Sequence, residues 1–475
     1  MALHQTYTLL RKKHPQFIYK SFAWELKNNQ LNCNWHFHTA PNLDFHPTLS
    51  IPLPKTDQKN QFDRSIIDWL VFNIGLVESL SYWKATASPE IIIKAGGLNS
   101  QQIEWWHKLL IGGMGEYFYL NKIEFTAKKF VEIVADKHEI TKAAATMLKN
   151  TISLNKNAYL IPVGGGKDSI VSLELLKLHR LQNPDLKLLA TTINPTQASL
   201  DVINQSGLNS VIVTRQLDPL LLTLNQQGYL NGHTPFSAML AFVSTLVTYL
   251  YNYQNIVLSN EQSANEGNVR YLGQIVNHQY SKSFAFEQSF RQYIAPMMKI
   301  NYFSLLRPYG ELKIAKLFSQ LGSKYFSVFR SCNRGQKTNS WCGKCSKCLF
   351  AWTILFPYLG EQKLSTIFAH NLFKNSQLKN TILELIGESN TKPFDCVGTY
   401  EESKMALSWA VEWYKKTNKP LPALLQETVP ALDKNPDKNK FFSQPQKAPQ
   451  PPIPPKLNTQ HFLTKDLTKL LQSYV

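Results

Sequence analysis

Tyr159-Leu160-Ile161-Pro162-Val163-Gly164-Gly165-Gly166-Lys167-Asp168-Ser169 is the stretch on which the reading of this 475-residue chain turns. Its first five residues form an apolar run of strand length, and residues 169–181 carry the apolar spacing of a helix. A glycine turn between a strand and a helix aims its own N–H groups, and those of the helix N-terminus, at one point. The helix dipole favours negative charge there. Gly164, Gly165 and Gly166 let a phosphate approach the backbone without Cβ obstruction. Lys167 adds a point charge and Ser169 a hydroxyl donor. Asp168 would repel a bare phosphate. A Mg²⁺ ion held by its carboxylate, directly or through water, removes that conflict.

Spacing eliminates two other phosphate loops. A Walker loop places glycine where Ile161 stands and Ser or Thr where Asp168 stands. A dinucleotide-binding G-x-G-x-x-G fails because Ser169 occupies its last glycine position. An ordinary glycine-rich turn between strand and helix stays open as an alternative.

The alternation continues downstream, with short apolar strands at 186–193, 210–213 and 254–259 and a helical region from Pro235. Residues 151–364 are therefore expected to form a mostly parallel sheet with helices on both faces, an α/β domain. Residues 1–150 read as an α+β domain, with strands at 51–53 and 90–93, helices at 65–81 and 101–111, and a turn at 112–116. Residues 365–430 read as helical. Residues 431–475 are expected to form a tail with seven prolines between Pro436 and Pro455, an extended, disordered linker ending in a short helix at 464–473. That tail is either a passive extension or a docking segment for a protein partner.

The most apolar stretch, 238–251, is short and contains Ser244, Thr245 and Thr248, so it reads as a buried core helix and no membrane is implied. Residues 1–6 lack the basic region and apolar run of a signal peptide, which places the chain in the cytoplasm. The net charge is +18, and residues 281–350 hold twelve Lys and Arg against Glu287 and Glu311 alone. Such a field favours polyanionic ligands: nucleic acid, a nucleotide-linked metabolite or several phosphates at once. A merely solvated basic face is the alternative.

Four of six cysteines lie together, Cys332, Cys342, Cys345 and Cys348, and two consecutive C-x-x-C steps can wrap one tetrahedral ion. In a cytosolic chain disulfides are disfavoured, so structural zinc is the first expectation. A redox or sulfur-transferring pair and an iron–sulfur site remain as alternatives. Cys33 and Cys396 stand apart and read as packed or free thiols.

Gly164 to Ser169 resembles the S-G-G-x-D-S signature of the PP-loop ATP pyrophosphatases, with glycine in place of the first serine. The resemblance implies a HUP-type α/β fold, bound ATP and Mg²⁺, and cleavage of ATP between its α- and β-phosphates. The missing serine removes one hydroxyl donor from the diphosphate contacts. The loop followed by the cysteine cluster is also similar to 7-cyano-7-deazaguanine synthase, and other relatives modify tRNA. Longer segments resemble the UDP-N-acetylmuramoyl-L-alanyl-L-glutamate epimerase (MurL) family: Leu80-Ser81-Tyr82-Trp83-Lys84-Ala85, Gly113-Met114-Gly115-Glu116, the run from Ser259 to Asn268, the run from Asn277 to Ser283, Leu306-Arg307-Pro308, and Arg330-Ser331-Cys332-Asn333-Arg334.

The resemblance spans residues 60–400. It implies ATP-driven inversion of the terminal L-glutamate of UDP-MurNAc-L-Ala-L-Glu through an acyl-adenylate, with AMP and diphosphate released. On this reading Asn260, Glu261, Ser263, Asn265, Glu266 and Asn268 follow a strand at the ligand end of the sheet and contact substrate or Mg²⁺. His278, Tyr280 and Lys282 supply acid and base beside Ser281, and Arg307 and Lys282 clamp carboxylate or phosphate. Arg330 and Arg334 anchor anions. The rival readings are an adenylating enzyme acting on tRNA, in which the basic field contacts nucleic acid, and a non-catalytic nucleotide-binding module.

Overall fold

The computed structural model describes residues 6–55, 62–136, 153–433 and 458–474. Strands β1 (Gln16–Lys27), β2 (Gln30–Thr39), β3 (Leu43–Phe45), β4 (Thr48–Pro52), β5 (Glu90–Gly97), β6 (Glu132–Asp136), β7 (Asn155–Pro162), β8 (Lys187–Ile193), β9 (Ser210–Gln216) and β10 (Tyr253–Leu258) occur in that order. A small antiparallel pair, β11 (Val269–Tyr271) and β12 (Gln274–Val276), precedes β13 (Asn301–Ser304).

Five of these form the parallel half of one large sheet. β7 lies between β8 and β10, β9 flanks β8, and β13 flanks β10, all parallel. In chain order this is third-second-first-fourth-fifth, and the direction of winding reverses between β7 and β10. The two faces can be read along β7. Tyr159 and Ile161 point into a core with the helices Lys167–Gln182 and Glu311–Leu321, while Leu160 points into the other core with the helices Arg64–Trp83 and Phe236–Tyr251. Burial on both faces is what a parallel strand requires.

The N-terminal strands do not build a separate sheet. β4 pairs antiparallel with β9, from Thr48↔Gln216 to Ser50↔Thr214, and the sheet continues through β2, β1, β5 and β6, giving eleven strands with β3 on β2. The β1–β2 hairpin turns at Asn28 and Asn29, both in the left-handed region (φ 52° and 59°), which asparagine tolerates better than most residues. The sequence reading does not single out this hairpin, although Phe22, Trp24 and Leu26 in β1 and Leu31, Cys33, Trp35 and Phe37 in β2 alternate with their neighbours as a strand requires. The expected boundary near residue 150 lies in 137–152, outside the described residues.

The apolar stretch at 238–251 is an internal helix whose Thr245 and Thr248 donate to backbone carbonyls at Ala241 (2.8 Å) and Thr245 (2.8 Å). Among the described residues, no helix is long and apolar enough to cross a membrane. The expected turn at 112–116 is tighter than a loop: the helix Ser100–Gly113 meets the helix Gly115–Leu120 across the single residue Met114.

The proline-rich part of the tail, 434–457, lies outside the described residues, but the chain after it docks on the parallel half. Asn458 N–H donates to Pro308 O (3.0 Å), Phe462 stacks on Phe284 (5.1 Å) and carries the Arg291 guanidinium (4.4 Å), and Tyr309 Oη donates to Leu471 O (2.6 Å). The helix Lys465–Gln472 buries Leu467 completely, in agreement with the short helix expected there. Leu467→Ala should therefore lower stability by about 2–5 kcal/mol, read as a reduced midpoint in urea unfolding. An unchanged midpoint would show that the docked tail adds nothing.

Candidate functional site

The loop after β7 is held from three sides. Gly165 has φ +83°, and a Cβ on it would stand 2.8 Å from Ser199 N. Arg330 N–H donates to Gly165 O (2.9 Å), and a Cβ on Gly166 would meet Ser331 at 3.3 Å. Gly166 is the N-cap of the helix Lys167–Gln182, in extended conformation and with no side chain capping the first turn. That first turn therefore presents open N–H donors beside the glycines. Ser169 Oγ turns back to Gly166 O (3.0 Å).

β10 ends beside β7 at the reversal point, where open α/β sheets bind ligands beyond the carboxyl ends of their strands. Asn260 and Glu261 leave β10 there, and Glu261 is buried. Lys167 is 4% exposed and does not reach into solvent. Its ammonium is gripped by Asp168 (2.5 Å) and by Glu311 at the start of the helix Glu311–Leu321. Burial opposes the charge on Lys167, but the two carboxylates raise its pKa above the ordinary value. Burial pushes Asp168 up, yet Lys167 and Lys347 hold it below the usual carboxylate range. Its side chain keeps 26% exposure, so a carboxylate oxygen remains available in the crevice.

A second cluster adjoins the first. Lys282, in the turn Tyr280–Lys282, places Nζ 3.0 Å from Cys396 Sγ. His278 also hydrogen-bonds Cys396 and puts Nδ1 2.5 Å from Glu116 Oε2, with His233 Nδ1 3.7 Å from the same oxygen. Burial works against the imidazolium of His278, but Cys396 and Glu116 lift its pKa to about 9. Burial, with the charges of His278, Lys282 and Lys84, drives His233 down to about 3. Burial pushes the Cys396 thiol up, but Lys282 and the His278 hydrogen bond bring it to about 6. The surroundings thus favour charge on Lys282, His278 and Cys396 and disfavour it on His233.

Beside Gly164 opens a cavity of ≈ 390 Å³, reaching Thr192, Asn194, Ser199, Arg215 and Phe236. Arg215 is fixed by Glu78 (2.8 and 3.0 Å) and Ser81 (2.9 Å) from the helix Arg64–Trp83. Among the described residues, Ser259 Oγ at the end of β10 and Arg330 Nε beside the loop are buried without a hydrogen-bond partner. Such orphaned atoms suit a crevice built for a polar ligand.

The four cysteines converge. Cys332–Cys345 and Cys342–Cys348 are 3.7 Å apart and Cys345–Cys348 3.5 Å between sulfurs. The edge of a tetrahedron with metal–sulfur bonds of zinc length is about 3.8 Å. The N–H groups of Gly335, Lys344 and Cys348 point at these sulfurs, and Gly343 turns with φ +66°. The cluster can hold a metal ion.

Comparison with known proteins matches this architecture to one family along most of its length. Residues 9–305 match the MurL N-terminal domain and residues 328–440 the MurL C-terminal domain. The chain belongs to the MurL family. A protein of Xanthomonas oryzae pv. oryzae named UDP-N-acetyl-alpha-D-muramoyl-L-alanyl-L-glutamate epimerase is 32% identical over 76% of this chain and 79% of its own. A Salinispora tropica protein of the same name is 29% identical over 88% of this chain and 90% of its own. No solved structure is significantly similar to the chain.

The structure brings together Asp168, Lys167, Glu261, His278 and Lys282 from the residues expected at the site. Arg307 is nearby but fully buried, and its guanidinium donates to Glu287 (3.0 Å), Lys282 O (2.5 Å) and Glu261 O (2.7 Å). It positions both sides of the crevice. Asn268 serves the framework too, accepting from His278 N–H (2.8 Å) and donating to Pro393 O (2.7 Å). Glu266 pairs with Lys392 (3.0 Å), and Ser263 donates to Glu261 (3.4 Å). Asn265 caps the helix Phe284–Ile294 by accepting from Phe284 N–H (2.8 Å), and Ser281 is buried. The Tyr280 ring lies against Gly112 of the helix Ser100–Gly113, outside the charged cluster.

Glu311, Lys347, Glu116, His233 and Cys396 join the site without having been singled out. Glu116 lies within a quoted family segment; the others carry no local pattern. Gly165→Ala would force both a left-handed backbone and a clash with Ser199 N. It is expected to weaken nucleotide binding at least tenfold, measured by calorimetry, with unaltered affinity excluding the loop as the binding element.

Proposed function

We propose that this chain is the ATP- and Mg²⁺-dependent epimerase that converts the terminal L-glutamate of UDP-MurNAc-L-Ala-L-Glu to D-glutamate, as a soluble cytoplasmic step in making peptidoglycan precursors. What carries the reading is the meeting, in one crevice, of a phosphate cradle and an acid–base cluster, in a chain whose relatives bear the epimerase name. The strand order and the loop support a PP-loop ATP pyrophosphatase domain over 151–364, with residues 1–150 completing the sheet and 365–430 closing the crevice.

The chemistry explains why an epimerisation would consume ATP. A free α-carboxylate makes the neighbouring C–H a very weak acid, because its removal builds a dianion. Joined to AMP, the carboxyl loses that charge and its carbonyl delocalises the electron pair, so a modest base suffices. The cavity beside Gly164 accommodates the nucleoside and the open N–H groups at Gly166 the phosphates. Mg²⁺ on the exposed side of Asp168 would neutralise the leaving diphosphate. The cysteine cluster is assigned as a structural zinc site, its tetrahedral thiol spacing being the reason.

Incubation with ATP, Mg²⁺ and UDP-MurNAc-L-Ala-L-Glu should yield AMP, diphosphate and D-glutamyl product, scored by chiral analysis of the hydrolysed peptide. AMP without inverted glutamate would overturn the assignment. Asp168→Ala is expected to reduce turnover about 100-fold or more, and full activity would remove it from the metal role. Wild type should carry one zinc per chain and Cys345→Ser close to none by elemental analysis; a metal-free wild type would end the zinc assignment.

A further inference from the structure

Cys396 occupies a position that packing does not explain, and it lies outside the four-cysteine cluster. Its sulfur is half-buried, 3.0 Å from Lys282 Nζ and in hydrogen-bonding contact with His278, whose ring is in turn held by Glu116. A packing cysteine looks different. Cys33, in the middle of β2, is 1% exposed among apolar neighbours, and burial pushes its thiol far up. Beside Cys396 the environment instead favours sulfur in its nucleophilic, basic form.

The segment carrying Cys396 is fastened by several contacts. Lys392 N–H donates to Asn268 O (3.0 Å), Asn268 donates to Pro393 O (2.7 Å), Ser346 donates to Asp395, and Lys347 donates to Cys396 O. Phe394 rests against Tyr119 (5.4 Å) and His278 (6.5 Å). The sulfur is thereby brought to the cluster that also feels Asp168 and Glu261 across the crevice. Next to His278, Gln279 is 5% exposed and its Oε1 has no hydrogen-bond partner, a polar atom left for a ligand.

We propose that Cys396 is the base that removes the α-proton of the activated glutamyl group. This rests on the epimerase reading above. The thiolate forms an S–H bond as the Cα–H bond breaks, and the electron pair moves into the carbonyl of the acyl-adenylate. Lys282 and His278 hold the sulfur anionic beforehand. On the opposite face the carbanion takes a proton that originates in solvent. The thiol releases its proton to solvent when the product leaves, so one proton is lost and one gained per turnover.

The test compares wild type, Cys396→Ser and Cys396→Ala, each zinc-loaded, with ATP, Mg²⁺ and substrate in D₂O. Wild type should place deuterium at the glutamyl α-carbon. Both variants should lose deuterium incorporation and D-glutamate by about 100-fold or more while still releasing AMP. Retention of exchange within threefold in Cys396→Ala would overturn the proposal and leave the epimerase reading intact. Loss of AMP release together with exchange in a folded variant would also overturn it, making Cys396 part of the framework. Wild type that forms AMP with neither exchange nor inversion would refute the epimerase reading itself.

Independently of any variant, iodoacetamide should label Cys396 in the zinc-loaded wild type with a rate rising through a midpoint near pH 6, set by Lys282, His278 and Lys347 around the sulfur. Bound substrate should slow labelling at least tenfold. A midpoint above 8, or no protection, would count against the proposal.

Discussion

Lys167 is an ammonium at the bottom of the ligand crevice, with carboxylates on both sides and almost no water. Charge in such a place persists only when paired, and removing one partner of a buried pair costs about 3–5 kcal/mol. Much else depends on the triad of Asp168, Lys167 and Glu311. It ties the helix after the phosphate loop to the helix Glu311–Leu321, whose own first turn is capped by Glu402 through Leu312 N–H (3.0 Å). Glu402 belongs to the helix Tyr400–Lys416, so the conformation of the loop after β7 is linked to the C-terminal region. The triad also accounts for the orientation of Lys167, which pairs with Asp168 and Glu311 while the N–H groups of the helix's first turn stay open.

A second linkage runs from the cysteines. Cys345 is the N-cap of the helix Ser346–Phe368, accepting from Cys348 N–H, and the next two residues, Ser346 and Lys347, grip Asp395 and the carbonyl of Cys396. A metal ion at the thiols would fix the start of this helix, and with it the segment that delivers Cys396. The sheet performs the corresponding task on the other side. Because β4 joins β9 directly, the helix Arg64–Trp83 packs beside the parallel half and supplies Glu78 to fix Arg215 at the cavity wall. The N-terminal region thus reaches the cavity beside Gly164, and the C-terminal segment reaches the Lys282–Cys396 cluster.

Local chemistry was legible in the sequence and distant chemistry was not. The loop, strands β7 to β10 and the cysteine cluster are each encoded within a few residues, by apolar runs, glycine and fixed cysteine spacing. The β1–β2 hairpin is encoded as locally, by alternating apolar residues on either side of Asn28-Asn29. Glu311, Lys347 and Cys396 act through partners tens to hundreds of residues away, and nothing in their neighbours announces it. The basic field of 281–350 was visible as composition, but composition does not say where each charge points. Arg307 is directed to Glu287 and two carbonyls, Lys282 to Cys396, Lys324 to Glu174 and Lys313 to the carbonyl of Tyr474. A good part of that field holds the molecule together rather than greeting polyanions.

The fate of Arg307 explains how the crevice keeps its shape. A fully buried guanidinium is expensive to desolvate unless every nitrogen finds an acceptor, and here each does. Its acceptors include the backbone carbonyls of Glu261, in the loop after β10, and of Lys282, in the turn whose Nζ meets Cys396. One rigid fork therefore joins the loop after β10 to the turn Tyr280–Lys282. In the proposed epimerisation that join would matter before substrate arrives, because a small error in position would separate the activated carbonyl from its base. Lysine at this position would lack the planar fork that fixes the angle between the two carbonyls.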